Sequence, residues 1–458
     1  MKKQKKRQKK SLYQFQREAL DKIKDRDNAA LFWQMGAGKT ISSIELTEYW
    51  SSPILVCLVL KSTVNQWLEE LYNQTERTVF NGYKKTKSDG IEAFIASPDR
   101  KCIVIGYDAY KAKCGARLRT YINQHAEDVT IVCDESSLIG HMESERTKAV
   151  MKTKAKHKLL LSGTPATGGK MEAIIPTACM LGWNMTKKQF LDQFCYVYEW
   201  RDPARPWVTI PIIQGYKNID ELRAGLKEHG GSFITMEEAG VQLPETTEQR
   251  VTITTPPEYK KFMRTGIVEI DGQEIIGENN LTKMLYARQI CSVYNSGKAA
   301  ALEELLEQAG DEPVIVFYNW TSELKILQSI CERLKRPVSV VNGQRKDLQA
   351  YEQDKPGTVI LAQYQAASMG LNLQKSRICI FFSPVCSYSD YEQAKARIHR
   401  IGQKRNCIFY NLICEDSIEE HIMQTLAERR DYTEQLFTEQ YGPKAEVAAC
   451  YCSRVSWT

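Results

Sequence analysis

The chain has 458 residues, of which 43% are hydrophobic and 26% are charged, and these proportions are typical of globular domains. Its net charge is +6, but residues 1–10 alone contain seven Lys or Arg, so the positive charge is concentrated at the N-terminus. This distribution excludes a protein whose whole surface is basic and coats nucleic acid. The longest apolar run, PILVCLVL at residues 53–60, is too short to span a membrane, and we predict no secretory signal.

Strand and helix patterns alternate in the first half of the chain. Strands are predicted over Ala29–Trp33, Ile54–Leu60, Cys102–Tyr107, Thr130–Cys133 and Lys158–Leu161. Helices are predicted between them, among them Thr40–Trp50 and Thr63–Asn73. This alternation predicts a parallel sheet whose strands are joined by crossover helices.

The pattern changes after residue 170 and resumes near residue 314. The aromatic, irregular stretch 171–244 is predicted to be an insertion and linker. Further strands are predicted over Val314–Tyr318, Val338–Val341, Thr358–Leu361, Ile378–Phe382 and Cys407–Leu412, with helices at Glu323–Leu334 and Ser417–Phe437. We therefore expect an α/β protein with two lobes. The predicted divisions are a basic arm at 1–10, lobe 1 at 11–170, the insertion and linker at 171–244, lobe 2 at 245–440 and a tail at 441–458.

A glycine-rich turn follows the first predicted strand. Residues 34–40 read QMGAGKT and lead into a helix. Backbone N–H groups of such a turn cradle phosphates, and the helix N-terminus adds a partial positive charge. Lys39 is predicted to reach the β- and γ-phosphates, and the Thr40 hydroxyl is predicted to bind Mg²⁺. The backbone cradle is assigned to Gly36, Ala37 and Gly38.

Two adjacent carboxylates end the strand predicted at Thr130–Cys133. Asp134 is expected to bind Mg²⁺, while Glu135 is expected to orient and deprotonate an attacking water. A later strand runs into the polar turn Ser162–Pro165 (SGTP), at the end of a parallel strand where α/β sites gather. These elements predict a single phosphate-hydrolysing site.

Two arginines are crowded into residues 393–403, QAKARIHRIGQ. Arg397 and Arg400 are three residues apart, which predicts that they share one face of a short helix ending at Gly402. A guanidinium is permanently charged and pairs bidentately with phosphate oxygens. We predict that both act on the nucleotide as arginine fingers. His399 is expected to pack or bond locally, without a catalytic role.

Together these motifs resemble the superfamily-two helicases and, within them, the Swi/Snf-type DNA translocases. The resemblance runs from about Leu12 to Phe437. Further similar segments are LYQFQREALDKI, LVLKSTVNQWLEEL, VIGYDAY, VQLPETTEQ, SGKAAALEELL and PVIVFYNWTSELKILQ, and HRIGQ is the most specific match. The resemblance implies two RecA-like P-loop lobes, ATP and Mg²⁺ as cofactors, and duplex DNA as partner.

The resemblance also implies roles for residues outside the phosphate motifs. Gln16 matches the glutamine that reads adenine, and Gly370 is assigned to nucleotide binding. The DNA-gripping candidates are Lys61, Ser62, Thr63, Gln365 and Asn372. The chain departs from the family at Ser137, where histidine is usual, and at Ala367–Ser368, where two glycines are usual.

Three functions are compatible with these motifs. The leading hypothesis is an ATP-driven translocase on duplex DNA, and the alternatives are a strand-separating helicase and a DNA clamp that binds ATP with little turnover. The compact form resembles bacterial or bacteriophage members, which implies a cytoplasmic protein; a nuclear one is the alternative. A targeting protein is a possible partner, and no membrane is expected. The fourteen cysteines form no CxxC pair, and Cys450 and Cys452 are the closest two, so neither zinc nor disulfides are expected.

Overall fold

The structure is a computed structural model that describes residues 7, 9–82, 87–166, 169–202, 205–367, 371 and 373–431. Several predictions fall outside these residues: most of the basic arm, Ser368, Gly370, Asn372, the last six residues of the helix predicted to end at Phe437, and the tail at 441–458. The chain divides into two compact units, Met1–Gln242 and Leu243–Thr458. No helix in the described ranges has the length and apolar character needed to cross a membrane.

Unit 1 alternates strands and helices along the chain. Its strands are β1 (Asn28–Trp33), β2 (Ile54–Val59), β3 (Thr78–Asn81), β4 (Lys101–Gly106), β5 (Val129–Cys133), β6 (His157–Leu161), β7 (Cys195–Asp202), β8 (Arg205–Tyr216) and β9 (Gly231–Ile234). Its helices are α1 (Gln14–Asp21), α2 (Lys39–Tyr49), α3 (Val64–Gln74), α4 (Lys87–Ala96), α5 (Tyr107–Lys111), α6 (Lys113–Gln124), α7 (Glu145–Lys152), α8 (Ile175–Met180), α9 (Lys187–Phe194) and α10 (Ile219–Glu228). All strands predicted in this half are confirmed, with ends that shift by one residue or fewer.

The sheet of unit 1 is parallel throughout. Within the described residues its strand order is β3-β4-β2-β5-β6-β1-β9. The apolar run of β2 is fully buried because helices cover both faces of a parallel sheet. Since all of these strands point the same way, the segments that follow β1, β2, β5 and β6 emerge at the same carboxyl edge.

The stretch 171–244 is more ordered than its irregular composition predicts. It forms α8, α9 and α10 and the antiparallel pair β7–β8, and its strand β9 pairs with β1 from Ala30 to Trp33. Strand β9 therefore belongs to the sheet of unit 1 and not to a linker. The sequence GSFI is too short to be recognised as a strand without its partner, since a run of four residues with two large apolar side chains fits a helix equally well.

Unit 2 begins with a long strand at the edge of its sheet. Its strands are β10 (Thr246–Ile253), β11 (Ile267–Ile270), β12 (Gln273–Ile276), β13 (Val314–Tyr318), β14 (Val338–Val341), β15 (Lys346–Asp347), β16 (Val359–Gln363), β17 (Ile378–Phe381) and β18 (Cys407–Cys414). Its helices are α11 (Pro257–Thr265), α12 (Asn280–Ser292), α13 (Ser296–Ala309), α14 (Thr321–Arg333), α15 (Gln349–Glu352), α16 (Tyr364–Ala367), α17 (Tyr388–Lys395) and α18 (Ile418–Ala427).

The main sheet of unit 2 has the order β10-β18-β17-β13-β16-β14-β15 in the described residues, parallel except for the short β15. The five predicted strands of this unit are confirmed. Strand β10 went unrecognised because its sequence TTEQRVTI is mostly exposed at the sheet edge and lacks an apolar alternation. The last helix ends at Ala427, and Arg429 has a positive φ. The prediction that this helix continues toward Phe437 is therefore wrong for residues 428–431, the last described residues.

A buried ion pair joins helices α13 and α18. The ammonium of Lys298 and the carboxylate of Glu419 are almost completely buried, and Lys298 Nζ lies 2.6 Å from Glu419 Oε1. The second oxygen of Glu419 accepts the backbone N–H of Cys414. Burial alone would lower the Lys298 pKa, but Glu419 together with Cys414 and Cys291 more than offsets this effect, and the pKa is raised. The thiols of Cys291 and Cys414 lie within 4.8 Å of this carboxylate, whose charge Lys298 already balances.

We predict that Glu419→Ala destabilises the folded chain by about 3–5 kcal/mol, because it leaves the Lys298 ammonium buried without a counter-ion. Urea unfolding of the full chain measures the loss. The matched control is Glu303→Ala, which removes the partner of the exposed Arg333 in the same unit, where water screens the pair. Equal losses in the two variants would contradict a structural role for the buried pair.

Candidate functional site

The turn between β1 and α2 has the backbone of a phosphate cradle. Gly36 and Gly38 have φ values of +85° and +80°, in the left-handed region that favours glycine. Helix α2 begins at Lys39, so its unpaired N–H groups point toward the turn. The half-buried Lys39 ammonium donates to the carbonyl of Trp33 at 2.9 Å, and Thr40 lies beside it on the first helical turn. The predicted cradle residues are therefore in position to bind an anion.

Gln16 of α1 is packed against this turn. It is 1% exposed, and its Nε2 donates to the carbonyl of Ala37 at 2.7 Å while its Oε1 accepts the N–H of Tyr13. A Cβ added at Gly38 would stand only 2.4 Å from Gln16 Nε2. The side chain therefore fixes the shape of the cradle, and its predicted contact with adenine stays a prediction.

Asp134 follows β5 and is held by Trp67 of α3. The indole Nε1 of Trp67 donates to Asp134 Oδ2 at 2.8 Å, and the N–H of Glu135 donates to Oδ1 at 3.1 Å. Burial raises the pKa of the Asp134 carboxyl, while the Trp67 hydrogen bond and the nearby Lys39 charge act to lower it. Trp67 is a candidate positioning residue to which the sequence analysis gave no role, although it lies in the motif LVLKSTVNQWLEEL.

Glu135 has a left-handed backbone, with φ at +49°. This conformation is uncommon for a residue that is not glycine and marks a sharp turn of the backbone after β5. It starts a short 3₁₀ helix, Ser136–Ile139, whose first turn is closed by the N–H of Leu138 donating to Glu135. The carboxylate is half-buried next to Asp134, as expected for a group that positions a water.

The loop after β6 approaches the same lysine. A Cβ on Gly163 would stand 2.9 Å from Met35 Cγ and 3.4 Å from Lys39 Nζ. The Ser162 side chain, which is buried, accepts the N–H of Thr164 and shapes this turn. The segments after β1, β5 and β6 thus meet around Lys39, at the carboxyl edge of the sheet.

The predicted Mg²⁺ ligands, Thr40 and Asp134, have the chemistry that this ion prefers. A hydroxyl from Thr40 and a carboxylate from Asp134 are hard oxygen ligands, and Mg²⁺ keeps several waters beside one or two carboxylates. Each Asp134 oxygen has accepted one hydrogen bond and keeps a further lone pair. The raised pKa of this carboxyl indicates a charge that a bound cation would stabilise.

The three DNA-gripping candidates of unit 1 differ in accessibility. Lys61, Ser62 and Thr63 form a 3₁₀ helix directly after β2. Lys61 is exposed and Ser62 is half-buried, but Thr63 is 7% exposed and its hydroxyl donates to the carbonyl of Leu60 at 3.0 Å. This geometry argues against a direct contact between the Thr63 side chain and DNA, because the hydroxyl is already bonded within the turn after β2.

The predicted arginine helix is shorter than expected. Helix α17 ends at Lys395, so Arg397 and Arg400 lie on the turns that follow it and not on one helical face. The N–H groups of Arg397 and Ile398 bond three residues back, which tightens the chain out of the α-helix. Burial lowers the pKa of the half-buried Arg400, and a guanidinium still remains protonated at neutral pH.

Gln403 fixes these turns and was given no role from the sequence. Its buried amide Nε2 donates to the carbonyls of Gln374, Ser376 and Ile398, which joins the arginine loop to the segment that leads into β17. Gly402 makes the reversal possible with φ at +102°. The predicted local bonding of His399 is confirmed, because its Nε2 lies 2.9 Å from the carbonyl of Pro244.

The remaining candidates of unit 2 follow β16. Gln365 is exposed on α16, while Gly370 and Asn372 lie outside the described residues and stay predictions. Of the two departures from the family pattern, Ser137 is described and lies half-buried in the 3₁₀ helix after Glu135.

Comparisons with known proteins agree with this organisation. Residues 8–177 match the SNF2-related domain, and residues 297–402 match the helicase conserved C-terminal domain. Together the two matches cover more than half of the chain.

An uncharacterized ATP-dependent helicase of Mycoplasma pneumoniae is 24% identical over 339 residues, which cover 68% of this chain and 30% of the relative. The human DNA repair and recombination protein RAD54-like is 22% identical over 469 residues, covering 87% of this chain and 61% of the relative. A solved Sulfolobus solfataricus SWI2/SNF2 ATPase core in complex with dsDNA aligns with a TM-score of 0.42 and 22% identity, over 98% of this chain and 96% of that chain.

The chain spans less than two thirds of both of these curated relatives. The matched domains stand in the same order as the two units, with the phosphate cradle, Asp134 and Glu135 in the first and the arginine loop in the second. This chain belongs to the SNF2-related family of helicase-like proteins.

Proposed function

We propose that this chain is an ATP-driven motor that moves along double-stranded DNA and hydrolyses ATP fastest when DNA is bound. The observation that carries the proposal is the meeting of Lys39, Asp134 and the Gly163 loop at one edge of the sheet in a member of this family. Lys39 and the backbone of Gly36–Gly38 hold the phosphates. Thr40 and Asp134 hold Mg²⁺, which offsets phosphate charge when bound.

Glu135 acts on the attacking water in this mechanism. It accepts a proton from the water as the water oxygen forms a bond to the γ-phosphorus. The bond between that phosphorus and the β–γ bridging oxygen breaks, and its electrons leave with ADP, giving ADP and inorganic phosphate. Lys39 stays on the β- and γ-oxygens through the step and stabilises the charge that develops there.

Arg397 and Arg400 of unit 2 are proposed to act on the nucleotide as arginine fingers, as the family resemblance implies. They lie on the turns after α17, whose backbone accepts a hydrogen bond from the amide of Gln403 at Ile398. Arginine fingers contribute roughly 10³–10⁵ in rate. Turnover is proposed to depend on DNA, because DNA binding is proposed to bring the arginines into their active arrangement.

The grip on DNA is proposed to use the phosphate backbone. Lys61 and Ser62 offer an ammonium and a hydroxyl at the carboxyl edge of unit 1, and Gln365 offers an exposed amide in unit 2. Asn372 and Gly370 keep the DNA and nucleotide roles that the family resemblance implies. Such contacts do not depend on the base sequence of the DNA, and a higher salt concentration weakens them.

The compartment and partners follow from the same reasoning. The Mycoplasma relative supports a bacterial or phage-infected cytoplasm, and a nuclear protein is the alternative. The name of the human relative refers to DNA repair and recombination, which supports DNA as the partner. We also propose that a separate protein directs the motor to its site of action. We favour the motor over the clamp alternative because the chain carries Lys39, Asp134 and Glu135, the groups that hydrolysis of ATP requires.

The first test removes one group at a time from the hydrolytic site. We predict that Lys39→Ala, Glu135→Gln and Arg400→Ala each lower the DNA-stimulated turnover of ATP by about 100-fold or more, since each group acts on the transition state. Steady-state phosphate release with saturating duplex DNA measures this. Glu135→Gln is expected to bind ATP with nearly unchanged affinity, because it keeps the shape of the side chain.

The matched controls are exposed residues of the same types. Lys152→Ala, Glu127→Gln and Arg264→Ala are expected to keep wild-type turnover, because these side chains are solvated on α7, on the short 3₁₀ helix before β5 and on α11. Full turnover in all three site variants would show that hydrolysis happens elsewhere.

The second test concerns Trp67 as a positioning residue. Trp67→Phe keeps an aromatic ring but removes the N–H that lowers the Asp134 pKa. We predict a higher Mg²⁺ requirement and an acid limb of the pH–rate profile that moves to higher pH, because Asp134 holds its proton more tightly. Magnesium titrations at several pH values measure both effects. Variants that lose turnover without either shift would point to a packing role instead.

The third test identifies the nucleic acid. We predict that duplex DNA stimulates ATP hydrolysis more than single-stranded DNA or RNA, and that the apparent affinity falls steeply between two salt concentrations. For duplex DNA the slope is about −0.9 per phosphate contact in a double-logarithmic plot. Stimulation by RNA alone, or affinity that is independent of salt, is incompatible with a motor on the DNA backbone.

A further inference from the structure

Tyr107 is a buried tyrosine at the carboxyl edge of the unit 1 sheet. It directly follows β4, begins α5 and is 3% exposed. Its hydroxyl donates to the backbone carbonyl of Asp134 at 2.6 Å. Strand β2 lies between β4 and β5 in the sheet, so the phenol ring reaches past the end of β2 to the residue that follows β5. The hydrogen bond therefore joins α5 to the segment that carries the two adjacent carboxylates.

The bonded carbonyl belongs to the peptide that joins Asp134 to Glu135. A peptide unit is planar, so its C=O and its N–H turn together. The Tyr107 hydroxyl holds the C=O of this peptide, and Asp134 Oδ1 accepts its N–H at 3.1 Å. On the other side of Asp134, the backbone N–H donates to the carbonyl of Leu58 in β2 at 2.9 Å. The orientation of the peptide is thus fixed through both of its polar groups.

This peptide sets the direction in which the Glu135 side chain leaves the backbone. Glu135 follows it with φ at +49° and ψ at +55°, where the chain turns away from β5. A rotation of the peptide plane changes the φ of Glu135 and moves its Cβ relative to the sheet. Trp67 bonds the side chain of Asp134, whereas Tyr107 bonds its backbone, so the two aromatic residues hold different groups of the site.

The Tyr107 side chain is itself held in place and remains a donor. The guanidinium of Arg146 on α7 lies over its ring, 5.7 Å from the centroid, and also pairs with Asp108 at 3.1 Å. Burial is the largest of the causes that raise the pKa of Tyr107 well above its ordinary value. The hydroxyl therefore keeps its proton at neutral pH and continues to donate.

We propose that Tyr107 is a positioning residue for ATP hydrolysis, whose hydroxyl holds the peptide between Asp134 and Glu135 so that the Glu135 carboxylate faces the attacking water. The proposal rests on the proposed function, which assigns the water to Glu135. The hydroxyl takes no part in proton transfer, because it donates to the same carbonyl before and after the reaction. Removing it frees the peptide to rotate and lowers the fraction of chains whose carboxylate is aligned. The loss falls on the chemical step and not on the binding of ATP.

The test is a double-mutant cycle on the full chain with saturating duplex DNA and Mg²⁺. Tyr107→Phe keeps the ring and removes only the hydroxyl, so the variant is expected to fold. In the wild-type background it should lower kcat about tenfold and leave the KM for ATP and the Mg²⁺ requirement unchanged. In the Glu135→Gln background, where no carboxylate remains to be aligned, it should change the rate by less than about twofold.

Tyr110→Phe is the matched control. Tyr110 is also buried on α5, and its hydroxyl lies 2.7 Å from Thr153 Oγ1. This variant loses a buried hydroxyl hydrogen bond of the same kind, but one that does not reach the hydrolytic segment. Urea unfolding should show a loss of stability in both tyrosine variants, whereas Tyr110→Phe should keep wild-type turnover. Equal losses of turnover in the two variants would overturn the proposal.

The cycle separates this proposal from the proposed function. Equal losses of rate from Tyr107→Phe in the two backgrounds would overturn the proposal, because they would show an effect independent of Glu135. Unchanged turnover or a raised Mg²⁺ requirement would also overturn it, and each of these results leaves the proposed function standing if Glu135→Gln alone lowers turnover. Full turnover in Glu135→Gln would instead overturn the proposed mechanism, and the role of Tyr107 would fall with it. A wild type whose ATPase ignores DNA would contradict the DNA-driven motor alone, and the cycle measured without DNA would still test Tyr107.

Discussion

Everything in unit 1 depends on the parallel direction of its sheet. Helices cover both faces, so the strands are buried and every crossover returns the chain to start from the same end. The segments after β1, β2, β5 and β6 therefore meet at one edge, although their residues are far apart in sequence. Lys39, Lys61, Asp134 and Gly163 lie at one edge of the sheet because the strands before them are parallel.

The reactive groups of this edge are held by side chains that do no chemistry. Gln16 fastens the phosphate cradle through Ala37, and Trp67 donates to Asp134. In unit 2, the buried amide of Gln403 plays the corresponding part for the arginine loop. Each is a polar group that would be costly to bury without its partners, so each specifies one geometry for the loop it touches.

The sequence determined most of the fold, because strands such as Val314–Tyr318 and Ile54–Val59 are apolar runs bounded by helices and turns. It also determined the cradle and the paired carboxylates, since GAGKT and DE after a strand are local patterns. It failed where a residue is defined by a distant partner. Strand β9 pairs with the edge of β1, and the chain after Lys395 leaves the helix where Gln403 bonds the distant carbonyls of Gln374 and Ser376. Tertiary hydrogen bonds and burial decided these two, and such contacts leave no period or motif in the chain.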